Sequence, residues 1–158
     1  MRGLHRAGVR STAVLVLLLL GACHHGVAVQ EKTVKLENGL TVIVPEDGYE
    51  IEQRPRGLRL RPSNWRDLRA PTEVTLEVRD SVPPGDFKMR RSSGSQEASY
   101  RIDTIAAGSG GEERTLRAWT SPSNGLYIYL QQITQSEEPK DSDFDLGWQI
   151  LRSARMGR

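Results

Sequence analysis

Apolar and polar positions alternate with a period of two along most of the chain, and the alternation is sharpest at 72–79. There Val74, Leu76 and Val78 share one side while Glu73, Thr75, Glu77 and Arg79 share the other. Such a pattern predicts a strand with one buried and one wet face, as in an antiparallel sheet. Upstream, Val34 and Leu36 alternate with Thr33 and Lys35, Asn38-Gly39 follows, and Leu40 to Val44 resumes the pattern. Asn-Gly between two such runs predicts a hairpin, because both turn residues tolerate positive φ. A second hairpin is expected around Pro55-Arg56-Gly57, joining 49–53 to 58–61. Pro62 and Pro71 bracket 63–70, which leaves room for one helical turn. A polar loop rich in Ser and Gly is expected at 90–96, then strands at 98–105, 114–120 and 126–134. In the last of these, Tyr127 and Tyr129 share one face and Leu126, Ile128 and Leu130 the other. One of the two sets therefore points outward.

At the end of the chain the period becomes helical. Phe144, Trp148 and Leu151 fall on one side of a helix predicted over 143–155. Ser142 with Asp145 approximates a capping box, and Arg152 and Arg155 suit the last turn. The expected fold class is α+β: a single, largely antiparallel β-sheet of about seven strands with a C-terminal amphipathic helix.

The first 22 residues stand apart from this pattern. Arg2, Arg6 and Arg10 precede an apolar run from Ala13 to Leu20, and Leu20-Gly21-Ala22-Cys23 follows. A positive start, a short apolar core and small residues before a cut site make an export signal. The run is too short for a stable bilayer-spanning helix, which needs about 20 residues. The four residues ending in Cys23 resemble the lipobox of bacterial lipoproteins, in which the cysteine becomes the acylated first residue of the mature chain. Cys23 is the one cysteine in the sequence and sits where a lipobox requires it. Several acyl chains anchor far more firmly than one, since each buried methylene adds about 0.8 kcal/mol. The expected organisation is a lipoprotein signal peptide at 1–22, a lipidated tether at 23–31 and a single α+β domain at 32–158. With no Asp after Cys23, the expected location is the periplasmic face of the outer membrane.

Removing the signal changes the charge. The chain has 22 basic and 20 acidic residues, and the signal holds three of the arginines and no acid, leaving 19 against 20. A basic balance that would point to nucleic acid is thereby lost. With one cysteine no intrachain disulfide forms, so the apolar core alone must hold the fold.

Candidate chemistry is sparse. After the signal the only histidines are His24 and His25, beside the anchor, so a Ser-His-Asp or Cys-His arrangement and a zinc site lack their usual groups. Gly108-Ser109-Gly110-Gly111 runs into Glu112-Glu113 and a strand rather than into Lys-Ser/Thr and a helix, which argues against a phosphate loop. Asp141, Asp143 and Asp145 resemble the start of a calcium loop, but its glycine comes one place late and Arg152 stands where a bidentate Glu is needed. No carboxylate pair is selected by spacing. The expectation is a non-enzyme without cofactor or metal. Arg54, Arg56, Arg59, Arg61, Arg66 and Arg69 crowd into sixteen residues. They suit an acidic partner or anionic headgroups, or pair with Glu50, Glu52, Glu73 and Glu77 on neighbouring strands. The near-zero mature charge favours local pairing.

Three segments together carry a resemblance: Lys35-Leu36-Glu37-Asn38-Gly39-Leu40-Thr41-Val42, then Gly108 to Glu112 leading into Leu116-Arg117-Ala118-Trp119, then Phe144 through Gly147-Trp148 to Ile150. With the lipobox, they resemble lipoprotein immunity proteins that accompany peptidoglycan-cleaving (muramidase) effectors of the type VI secretion system. The resemblance implies a periplasmic, lipid-anchored protein that blocks a secreted cell-wall hydrolase with exposed loops. The loop chemistry selects Ser109, Glu112, Glu113 and Arg114 as partner-binding residues. The alternative is a non-enzymatic envelope accessory or assembly lipoprotein.

Overall fold

The structure is a computed structural model that describes residues 30–107 and 111–157; Cys23 and Ser109 lie outside the described residues. Among the described residues, ten strands form two antiparallel sheets, joined by one α-helix. In chain order they are β1 (Glu31–Lys35), β2 (Leu40–Pro45), β3 (Tyr49–Arg54), β4 (Gly57–Pro62), β5 (Glu73–Arg79), β6 (Met89–Ser93), β7 (Gln96–Ala106), β8 (Glu112–Ser123), β9 (Leu126–Ser136), α1 (Asp145–Ser153) and β10 (Arg155–Met156). The large sheet runs β3-β4-β5-β9-β8-β7-β6, and the small one β1-β2-β10. The seven-stranded antiparallel sheet and the C-terminal helix agree with the sequence reading. The first hairpin departs from it by leaving the large sheet and pairing with the chain's end, Leu40 opposite Met156. Alternation identifies a strand and its buried face, but it does not say which sheet receives it.

Both expected hairpins form. Gly39 takes φ 84° in the first turn, and Leu40 N–H donates to Asn38 Oδ1 at 3.0 Å. The expected helical turn is the 3₁₀ segment Trp65–Asp67. The polar stretch expected as a loop contains β6, an edge strand with Ser93 as its one buried residue. Lacking apolar alternation, it carries no strand signal.

The core lies between the two sheets and α1. Leu58, Leu60, Val74, Leu76, Ala98, Leu116, Ala118, Ile128 and Leu130 come from the inner face of the large sheet and are fully buried. Leu40, Val42 and Val44 face them from the small sheet, with Phe144, Trp148, Ile150 and Leu151 from the C-terminal segment. Full burial of each leucine, isoleucine, valine or phenylalanine here contributes about 1.5–3 kcal/mol. Tyr100 meets Trp148 edge-on, 5.1 Å between ring centroids.

The helix is shorter than its periodicity suggests. Asp141–Phe144 is a 3₁₀ turn before it, and Ala154 at φ −64°, ψ 129° ends it, releasing the chain into β10. No side chain at its own N-cap, Phe144, caps it. Instead Gln132 of β9, fully buried, accepts the Gly147 N–H on Oε1 at 2.8 Å and donates Nε2 to the Asp143 carbonyl at 2.7 Å. One buried amide thus satisfies an orphan helix donor and holds the helix on the sheet. The expected Ser142–Asp145 box is replaced by Asp143, whose carboxylate accepts the Lys140 N–H at 2.8 Å.

Candidate functional site

Among the described residues, the helix and the small sheet cover one face of the large sheet and leave the other open. Cross-strand register places Glu52, Arg59, Thr75, Gln131, Arg117 and Arg101 in one row across that open face. Glu77, Tyr129, Trp119 and Ser99 form the next row. Strands with one wet face carry this kind of alternation, but here the wet face has a definite internal order.

Its charges are paired in chains. Arg59 lies between Glu73, to which it donates a hydrogen bond, and Glu52 at 3.7 Å. The Glu73 contact raises the Arg59 pKa further above its usual value. Arg61 donates to Glu50 at 3.0 Å, Trp65 Nε1 donates to the other oxygen at 2.9 Å, and the Arg61 guanidinium stacks 3.7 Å over the Trp65 ring. The hydrogen bond from Arg61, then that from Trp65, hold the Glu50 carboxyl below its ordinary value. Asp103 bridges Arg117 and Arg101, the latter at 3.4 Å. Four of the six crowded arginines therefore pair locally, since Arg54 meets Glu52 and Arg56 meets Asp80 as well, while Arg66 lies 4.7 Å over the Trp65 ring and Arg69 is exposed.

Between these chains lies an aromatic cluster. Trp119 meets Tyr127 edge-on at 5.5 Å and Phe87 at 6.4 Å. Arg79, paired with Glu77 at 3.0 Å, lies 4.3 Å over the Tyr129 ring. Ile128 and Leu130 are the inward set of β9, as one of the two expected alternatives requires. Tyr129, on the outer face, is 8% exposed because these neighbours cover it, and burial raises its phenol pKa. Tyr127 and Trp119 remain half-buried. The indole Nε1 of Trp119 is buried with no acceptor among the described residues. Trp, Tyr and Arg are the residues that dominate protein–protein contacts, and here they share one uncovered face.

The expected contact loop is shorter than its sequence suggests. Glu112, Glu113 and Arg114 belong to β8, paired with β7 and β9, and Ala107 N–H donates to the Gly111 carbonyl at 3.1 Å. Strand alternation then separates the three side chains. Glu113 lies on the open face, where with Arg69, Glu73, Ile133 and Gln135 it lines a hollow of about 340 Å³. Glu112 is exposed at the rim. Arg114 points to the covered side, where it holds the segment that leads into α1. Its side chain is 12% exposed and lies 3.6 Å from Asp141 and 3.8 Å from Asp143. It also donates to the Lys140 carbonyl at 3.0 Å and lies 5.0 Å over the Phe144 ring. Arg79 escaped the sequence reading as a site residue; its register opposite Tyr127 is what places it here.

Residues 41–155, from β2 to the first residue of β10, match the family model of the type six secretion immunity 3 domain. The chain belongs to this family. The immune protein Tsi3 of Pseudomonas aeruginosa is 32% identical over 145 residues, covering 90% of this chain and 95% of that protein. As a type VI secretion immunity protein, the chain acts by binding and inhibiting an effector, and the immunity domain includes the whole large sheet with its open face. The three segments that carried the resemblance lie at the β1–β2 hairpin, the β7–β8 hairpin and the start of α1.

Proposed function

We propose that this immunity domain is a periplasmic lipoprotein, acylated on Cys23, that neutralises a peptidoglycan-cleaving effector by covering its substrate cleft with the open sheet face. The observation that carries the docking surface is the aromatic cluster of Trp119 and Tyr127 set among paired charges on an uncovered sheet, within a chain of an immunity family. The export signal supports the compartment: a target that needs neutralising outside the cytoplasm acts on the wall or the membrane. Glu113 extends the surface toward the β7–β8 turn, where Ser109 and Glu112 reach the effector at its rim. A central aromatic anchor ringed by polar groups is the usual energetic layout of such interfaces. Inhibition by coverage requires no chemistry from the inhibitor.

The chain from residue 23, with Cys23→Ser, is used as bait in a lysate of its own organism. Recovery of one cell-wall hydrolase, whose cleavage of peptidoglycan stops at equimolar bait, is expected. Trp119→Ala then weakens the complex by about 30-fold or more, as for a central anchor worth about 2 kcal/mol. A bait that recovers a hydrolase yet leaves its cleavage intact, or binding indifferent to Trp119, Tyr127 and Glu113, overturns the reading. Acylation is tested separately, by the mass of the protein extracted from membranes and its release by Cys23→Ser.

A further inference from the structure

The cations of the large sheet's open face and those of the opposite side differ in pairing. Arg59, Arg61, Arg79, Arg101 and Arg117 on the open face all have carboxylate partners. On the opposite side Lys35, Arg91, Arg152 and Arg155 are exposed, and none is in an ion pair among the described residues. These four are brought together by topology. Lys35 and Arg155 both stand opposite Thr41, from its two sides, and so share the outer face of the small sheet. Two strand spacings, about 10 Å, separate them. Ile43 projects from the same face and is 37% exposed.

Arg152 occupies the last turn of α1, and the Arg91 guanidinium lies 4.6 Å over Trp148 of the same helix. Arg155 Nη1 donates to the carbonyls of Arg152 at 2.7 Å and Ala154 at 2.6 Å, which fixes the guanidinium. At the β6–β7 turn, a Cβ on Gly94 would lie 3.3 Å from Arg155 Nη2 and 3.4 Å from Arg152 Cγ, so the absent side chain leaves them room. A hollow of about 820 Å³ opens here, lined by both arginines, Ile43 and Gly94. It contains two acids: Glu31, which accepts a hydrogen bond from Gln149, and Asp145 at the far end of the helix.

Glu31, the first residue of β1, borders this hollow. Cys23 precedes it by eight residues, a span of at most about 29 Å. An acyl chain on Cys23 therefore holds this side of the domain within that distance of a bilayer. We infer that the face formed by Lys35, Arg91, Arg152 and Arg155 binds anionic phospholipid headgroups, with Ile43 at the headgroup level, and so turns the open sheet face away from the membrane. Proximity to the bilayer rests on the lipoprotein reading above; the headgroup contact itself does not.

The test uses the chain from residue 23 with Cys23→Ser, which keeps every described residue and lacks the acyl chain. It is co-sedimented with phosphatidylcholine vesicles with and without phosphatidylglycerol. Partition only to the anionic vesicles, falling as salt rises, is expected. Each cation near such a surface adds about fivefold to partition, so Arg91→Gln/Arg152→Gln/Arg155→Gln lowers it by about a hundredfold. Arg66→Gln/Arg69→Gln, which removes exposed cations elsewhere, leaves partition unchanged, and circular dichroism confirms that both variants fold. Equal partition to neutral vesicles, none to either, or equal loss in the two variants overturns the inference. These outcomes are independent of effector binding and of acylation.

Discussion

Gly147→Ala is expected to destabilise the domain, against the usual rule for a helix interior. Alanine normally gains about 1 kcal/mol over glycine there. Here a Cβ would lie 2.4 Å from Gln132 Oε1 and 3.2 Å from Leu130 Cδ2. Gln132 cannot yield without losing its bond to Gly147 N–H at 2.8 Å and straining the one from Nε2 to the Asp143 carbonyl at 2.7 Å. Leaving a buried donor unsatisfied costs about 1–3 kcal/mol, and overpacking a filled core about 1–3 kcal/mol. After subtracting the propensity gain, the net loss is about 1–5 kcal/mol. Urea denaturation followed by tryptophan fluorescence reads this as a midpoint lowered by about 0.5–2.5 M at unchanged slope. Gln132→Ala vacates the space, so in that background Gly147→Ala gains about 1 kcal/mol instead of losing stability, and the double-mutant cycle returns a coupling of about 2 kcal/mol or more. A midpoint for Gly147→Ala equal to or above wild type would refute the clamp as the device that docks the helix.

Gly57→Ala places a Cβ 1.8 Å from the Leu76 carbonyl oxygen, a backbone atom that cannot move aside without opening the β4–β5 ladder. It is expected to lose about 3 kcal/mol or more, seen as loss of cooperative thermal unfolding. Arg61 and Trp65 hold the folded Glu50 carboxyl below its ordinary value of 4.5. Stability from that contact is full above the unfolded pKa and disappears as pH falls through the folded one. Glu50→Gln should therefore flatten the acid limb of melting temperature against pH, and an unchanged limb would refute the assignment. Burial raises the Tyr129 pKa above 10.0, so the unfolded chain ionises first and stability falls as pH rises past that value. In an alkaline absorbance titration of the four tyrosines, Tyr129→Phe should remove the latest phenolate; loss of an earlier one would contradict it.

The strands with the cleanest parity were the most legible. Val74, Leu76 and Val78 turn inward as their alternation requires, and Asn38-Gly39 makes its turn. β6 was hidden because an edge strand of Met, Arg and Ser buries almost nothing. β10 was absorbed into the helix, since Arg155 continues a helical period that Ala154 breaks by its backbone conformation alone. At the candidate site the sequence supplied the glutamates but placed them in a loop. The β7–β8 pairing extends to Ala106 opposite Glu112, which sends Glu113 and Arg114 to opposite faces. Long-range packing around Phe144, invisible in local spacing, then engages Arg114. The aromatic cluster is assembled from β8, β9 and the segment before β6, and no local pattern joins those segments.

The pairing of Leu40 with Met156, reinforced by the Gly157 N–H to the Gly39 carbonyl at 2.8 Å, sets the order in which this chain becomes a domain. The meander of β7, β8 and β9 joins neighbours in sequence and closes early, since short loops cost little entropy. β2 has no such neighbour on its second edge and waits for the chain's final residues. A nascent chain that has not yet supplied α1 and β10 therefore holds Leu40 and Val42 without the helix that covers them. Assembly finishes when β10 reaches β2.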